Sequence, residues 1–143
     1  LKQAARIRPH KRTPGVYADL ERALNSPSLY DDVLAFLARR GLPLGEDTYR
    51  RDFSLEYEPS AEVEAAWCAV YGDPRPSNSL FQLACVLTDI AGAFTTWRHR
   101  HLMAVKRAMG AKVGSGGSPG LVWLERSLAR EVFPELWSAR TIV

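Results

Sequence analysis

The chain has 143 residues, 46% of them apolar, and a formal net charge of +3. That length accommodates one domain burying roughly 70% of the surface its unfolded chain exposes, and that composition excludes a disordered polymer. No run nears the roughly 18 apolar residues of a membrane span, and no secretory h-region opens the chain, so a soluble, cytoplasmic protein without membrane contact is expected.

Much of the positive excess sits at the front, in Lys2, Arg6, Arg8, His10, Lys11 and Arg12. Such a run is either an arm for nucleic acid or a solvated, partner-facing segment. No aromatic residue is interleaved to stack on bases, so the second reading is taken and no nucleic acid is expected. Next, Thr13-Pro14 reads as a helix N-cap and first position. It leads into Val16, Tyr17, Leu20 and Leu24 and stops at Asn25-Ser26-Pro27. Ser28 with Asp31 reads as a capping box for a helix carrying Leu29, Val33, Phe36 and Leu37, with Gly41 as its C′ residue.

Residues 42 to 59 lack periodicity and read as a loop pinned by Tyr49, Phe53 and Tyr57. Ser60 opens a third helix with Val63, Trp67 and Val70 on its apolar side, closed by Gly72. The two cysteines, Cys68 and Cys85, lie inside apolar helical patterns and are expected as buried thiols in a reducing compartment. Their spacing suggests neither a zinc site nor a disulfide framework.

The fourth helix is long, from about Ser77 to Met109, with Leu80, Leu83, Leu87, Ile90, Phe94, Trp97, His101 and Val105 recurring at the three- and four-residue spacing of a packed seam. Ser118-Pro119 opens a last helix through Leu121, Leu124 and Leu128, and Phe133-Pro134-Glu135-Leu136-Trp137 ends the chain with an apolar anchor. No strand alternation is present, so the expected class is all-α, a helical bundle built around one long helix.

Chemistry centres on this long helix and the segment after it. Residues two apart point about 200° away from each other on a helix, so His99 falls between Arg98 and Arg100 on a charged face while His101 falls on the seam. The two cannot chelate one metal. His101 by itself is either a satisfied core histidine or a ligand. An imidazole on an apolar wall suits an axial haem ligand, with Nδ1 then needing an acceptor. The segment Gly114-Ser115-Gly116-Gly117-Ser118-Pro119-Gly120 likewise has two readings. It is a connector capped by Ser118, or a hinge presenting N–H groups and hydroxyls to an anionic ligand. It is not a phosphate loop, because no Gly-Lys-Ser/Thr follows and no strand precedes it. No Ser-His-Asp or Cys-His set can be assembled.

Several stretches together resemble the tryptophan 2,3-dioxygenase family. They are Pro27-Ser28-Leu29-Tyr30-Asp31, Leu34 to Gly41, Trp97-Arg98-His99-Arg100-His101 with Gly110 and Gly114 to Gly120, Phe133 to Trp137, and Arg140-Thr141. The resemblance runs from about Pro9 to Thr141. It implies an all-α, usually tetrameric enzyme containing haem b, which inserts O2 across the indole C2–C3 bond of L-tryptophan to give N-formylkynurenine.

The family's proximal haem ligand falls on His101, with Trp97, Val105 and Gly114 beside the cofactor. Its substrate-binding threonine falls on Ser115, with Gly116 and Gly117 beside the substrate. Serine for threonine keeps a hydroxyl and loses a methyl. Pro119 and Ala111 also depart from common family residues, so a relative acting on another indole stays open. The family's distal histidine, carboxylate-clamping arginine and indole-facing aromatic wall have no counterpart here, so the chain is expected to be the C-terminal part of a single haem dioxygenase-like domain. A missing N-terminal half or a second polypeptide would supply the rest. The abrupt start at Leu1-Lys2-Gln3 supports a fragment. The alternative outside enzymology is a helical interaction module whose basic front docks an acidic partner.

Overall fold

The computed structural model describes residues 7–110 and 120–143, and every regular element among them is helical. After a short 3-10 turn, Arg8–Arg12, come α1 (Pro14–Asn25), α2 (Leu29–Arg39), α3 (Glu46–Tyr49), α4 (Ala61–Tyr71), α5 (Ser79–Met109), α6 (Gly120–Leu128) and α7 (Pro134–Ile142). The all-α class and the long helix are as the patterning requires. The chain forms two compact units, Leu1–Ala69 and Val70–Val143, with the boundary inside α4.

The first unit is organised around α2. Ser28 caps it reciprocally: its hydroxyl accepts from Asp31 N, and the Asp31 carboxylate accepts from Ser28 N at 2.7 Å. The same carboxylate takes a forked bond from Arg51, at 2.8 Å from Nε and 3.2 Å from Nη2. Asp31 is 1% exposed, and its carboxyl sits below the usual aspartate range. Burial alone would raise it, but the bonds from Ser28 and Arg51 outweigh burial.

The helix ends on Gly41 at φ +87°, with Leu42 N donating to Leu37 O and Gly41 N to Ala38 O, a Schellman closure in which glycine takes the left-handed position. Its buried stripe is Tyr30, Val33, Leu34 and Leu37. Leu29, expected on that stripe, is exposed because the stripe starts one residue later, at Tyr30.

Tyr30 Oη accepts from Trp67 Nε1 at 3.1 Å, and Tyr57 packs edge-on against the Tyr30 ring. Tyr57 therefore pins the 50–57 loop as the sequence led one to expect, and Val63, Trp67 and Val70 are buried on α4. Within the expected loop the short α3 forms because Glu62 reaches its start, accepting from Gly45 N at 2.5 Å and Thr48 Oγ1 at 2.6 Å. At α1 Thr13 occupies the cap position without a side-chain bond, and Leu24 is the buried residue of that helix.

In the second unit the long helix begins at Ser79, two residues after the expected start at Ser77, and Asn78 caps it, its Oδ1 accepting from Leu80 N and Phe81 N. Tyr71 donates to Leu136 O at 3.3 Å, and Arg140 lies over the Tyr71 ring. The terminal Phe-Pro-Glu-Leu-Trp run is more than an anchor. Phe133, buried at φ 55° ψ 62°, is the cap residue of α7, Pro134 opens the helix and Trp137 Nε1 donates to Val132 O. Among the described residues neither cysteine is in a disulfide, and both are half-buried rather than fully buried.

Candidate functional site

The long helix α5 has 31 residues, so at 1.5 Å each it runs about 46 Å. It carries two apolar stripes. One holds small and medium residues and is buried: Ala84, Leu87, Ala91 and Leu102, with Arg98 in register. The other holds large residues and is exposed: Val86, Ile90, Phe94 and Trp97, with His101 continuing it. The expected seam is thus corrected. Leu87 is buried and Leu80, Leu83 and Val105 are half-buried, but Ile90, Phe94, Trp97 and His101 face outward. The core stripe sits about one residue round the helix from the seam, with the small residues Ala84 and Ala91 on its buried line.

By length and composition alone α5 could cross a bilayer, with a mean hydropathy of 1.3 over its most apolar 18 residues, of which 17% is buried. Asp89, exposed between Val86 and Ile90, opposes that, since an aspartate at the centre of a spanning helix costs about 3 kcal/mol.

Along the exposed stripe the rings form an ordered row. Phe94 stacks on Trp97 at 5.5 Å and 15°, and Trp97 stacks on His101 at 5.5 Å and 6°. His101 is exposed, and among the described residues neither ring nitrogen has a hydrogen-bond partner. The imidazole is in ring contact with Trp97, and the acceptor expected at Nδ1 is not among the described residues. Val105, one turn on, is half-buried. The remaining expected site residues, Gly114, Ser115, Gly116 and Gly117, lie outside the described residues.

Sequence reasoning placed Arg98 on a charged face. It is 7% exposed. Its guanidinium donates to Ser127 O at 2.5 Å and Arg130 O at 2.7 Å, at the C-terminal end of α6 where backbone carbonyls lack helical partners. Its carbon lies 5.0 Å from the Phe94 ring centroid, and burial pushes its pKa down. The readable signal was its spacing from Ala84 and Ala91, seven residues per step along one face. Lower on the pair, Lys106 bridges to Glu125 of α6 at 2.6 Å.

The donor set decides which metal centre suits this surface. No group of three His, Cys, Asp or Glu side chains converges among the described residues, whereas a metal held by side chains alone takes three or four such ligands. A macrocycle brings four nitrogens of its own and asks for one axial side chain on an apolar surface. A single open imidazole beside Trp97 and Val105 fits that group.

The tryptophan 2,3-dioxygenase family model matches residues 4–143. The chain is 47% identical over 141 residues to a tryptophan 2,3-dioxygenase of Caulobacter vibrioides, covering 99% of this chain and 54% of that protein. It is 47% identical over 128 residues to one from Geobacillus thermodenitrificans, covering 90% and 46%. It is 42% identical over 140 residues to one from Burkholderia pseudomallei, covering 98% and 46%. The chain spans about half the length of the curated relatives it matches.

Proposed function

Since the chain belongs to the tryptophan 2,3-dioxygenase family, we propose that it is the haem-binding part of an enzyme that oxygenates L-tryptophan or a related indole with O2. The observation that carries this reading is the open His101 imidazole, stacked on Trp97 at the end of an uncovered aromatic row. His101 offers a ring nitrogen to the iron of haem b. Trp97 holds the plane of that ring, and Val105 extends the apolar ground one turn further along the helix. The chemistry supplied by haem b when bound is activation of O2 for insertion across the indole C2–C3 bond, giving an N-formylkynurenine-type product. In this reading Gly114 borders the cofactor, and Ser115, with Gly116 and Gly117, receives the amino-acid end of the substrate.

The other half of the relatives' length, in the same polypeptide or a second one, supplies the opposite wall of the pocket and covers the exposed stripe. The assembly works as a homo-oligomer, a tetramer by analogy with the family, in a reducing cytoplasm. The deciding experiment is optical. His101→Ala in the intact protein abolishes stoichiometric haem and the five-coordinate histidyl-haem spectrum, whereas retention of that spectrum overturns the assignment. The same exposed stripe also suits a non-enzymatic interaction module, which a haem titration of the intact protein separates, because a module shows no stoichiometric binding.

A further inference from the structure

The most unusual side chain in the second unit is Arg98. A guanidinium 7% exposed is costly to bury, and among the described residues no carboxylate pairs with it and its Nε has no partner. A leucine or methionine would fill the space without that cost. What arginine adds is a planar fork and a charge that stays put. The fork reaches two carbonyls at the end of α6, at Ser127 and Arg130, and so fixes the guanidinium from a second element. The charge rests against the Phe94 ring at 5.0 Å, within cation–π range.

From Phe94 the order passes outward. Exposed aromatic side chains on a helix surface ordinarily keep rotamer freedom, yet here three successive rings lie within 15° of parallel, neighbour to neighbour. The row begins at a buried, doubly anchored group and ends at the imidazole. A ligating histidine is usually aimed by an acceptor on its second nitrogen. Among the described residues the contact that shares the plane of His101 is its stack on Trp97, at 5.5 Å and 6°.

We propose that Arg98 is a positioning residue that sets the plane of the His101 imidazole through Phe94 and Trp97. Its bearing on haem rests on the function proposed above, but the relay itself is read without haem.

The test follows the ring protons of His101 by NMR in the intact protein with labelled histidine, the signal being assigned by its loss in His101→Gln. The indole face of Trp97 shifts those protons upfield. That shift is lost in Trp97→Leu, in Phe94→Leu and in Arg98→Lys, which keeps the charge and loses the fork, and it is restored in Trp97→Phe. Phe94 is exposed, so its replacement leaves the fold intact and keeps the test decisive if Arg98 variants unfold. If the shift is lost in Trp97→Leu but persists in Phe94→Leu or in folded Arg98→Lys, the relay is overturned and Arg98 only closes α6. If no variant moves the signal, the stack itself is overturned. In the haem-loaded protein the iron–imidazole stretching band shifts in Arg98→Lys at unchanged haem stoichiometry, and a band that stays in place overturns the link to the iron. Loss of haem binding in His101→Ala is a separate result, so the two readings fail independently.

Discussion

Replacing Asp31 by Asn removes one charge and one acceptor oxygen from a site where both oxygens are used. The carboxylate, 1% exposed, accepts from Ser28 N, Ser28 Oγ and two nitrogens of Arg51. An asparagine keeps one acceptor and turns an NH2 toward either Ser28 or Arg51, so one side of the cluster is broken whichever way it points. Breaking a buried ion pair from one side costs about 3–5 kcal/mol. Here the cost is smaller, because Arg51 keeps some solvent and two carbonyls, Asp52 O and Leu55 O, which leaves about 2 kcal/mol. Losing the reciprocal half of the cap adds about 1 kcal/mol. The expected total of about 3 kcal/mol lowers the melting temperature by about 10 °C for a chain of this size.

The effect also has a pH signature. Asp31 has a folded pKa below the 3.8 of the free side chain, so the unfolded state binds the proton more readily. Its stabilisation is full above that value and is lost as pH falls through the folded pKa. Urea unfolding of the wild type and Asp31→Asn across the acid range therefore shows a gap that is constant near neutrality and closes below pH 3.8. A neutral-pH gap under about 1 kcal/mol, the worth of a single ordinary hydrogen bond, refutes the argument, as does a gap that widens with acid.

Gly41→Ala places a Cβ at φ +87° with nothing among the described residues within 4 Å beyond its chain neighbours, so the cost is conformational, about 1 kcal/mol by chemical denaturation. Gly110→Ala, at φ +60° and ψ −142°, costs more, about 1–3 kcal/mol, because that backbone region is open to glycine almost alone. Lys106→Ala removes an ion pair whose partners are 40% and 49% exposed, and changes stability by at most about 0.5 kcal/mol, with the difference vanishing in high salt. In variants that keep one tryptophan, acrylamide quenches Trp97, 56% exposed, far more than Trp67, 0% exposed, and supplying haem with the other half of the relatives' length shields Trp97. Ile90→Ser is close to neutral in this chain alone but costs about 1–2 kcal/mol once that stripe is covered, measured by comparing unfolding in the two states.

Local signals were readable where one residue type has one physical use. Ser28 with Asp31 gave the cap of α2, Gly41 its end, and Val63, Trp67 and Val70 the buried side of α4. They failed where a distant side chain decides. The short α3 exists because Glu62 reaches Gly45 and Thr48 from α4, and periodicity carries no trace of that bond. In α7 a non-glycine residue in the left-handed region, Phe133, starts the helix, against its own preference. The family-like stretch from Pro27 to Asp31 turns out to hold the scaffold: Ser28 caps, Tyr30 receives Trp67, and Asp31 holds Arg51. At the site, the register of His101 with Trp97 was legible as an i, i+4 pair, and its stacking follows from it. The burial of Arg98 was not, because its two carbonyl acceptors come from residues 29 and 32 positions away.

The two stripes of α5 explain why the seam was assigned to the wrong surroundings. Periodicity reports that a face is apolar, and is silent on what covers it. In a helix that packs once, the largest side chains go inside, since each aromatic buries roughly 150–250 Å². Here the order is reversed, with Ala84 and Ala91 inside and Phe94 and Trp97 out, 44% and 56% exposed. At about 25 cal/mol per Å² each aromatic forgoes roughly 2 kcal/mol of burial that a covering surface would recover. The small residues line the buried face, and the large ones form a second, exposed face. That face ends in an imidazole whose plane is set from the buried side by Arg98. In the function proposed above, a helix so divided is packed twice, once within this chain and once against something flat or apolar that the rest of the family's fold helps to hold.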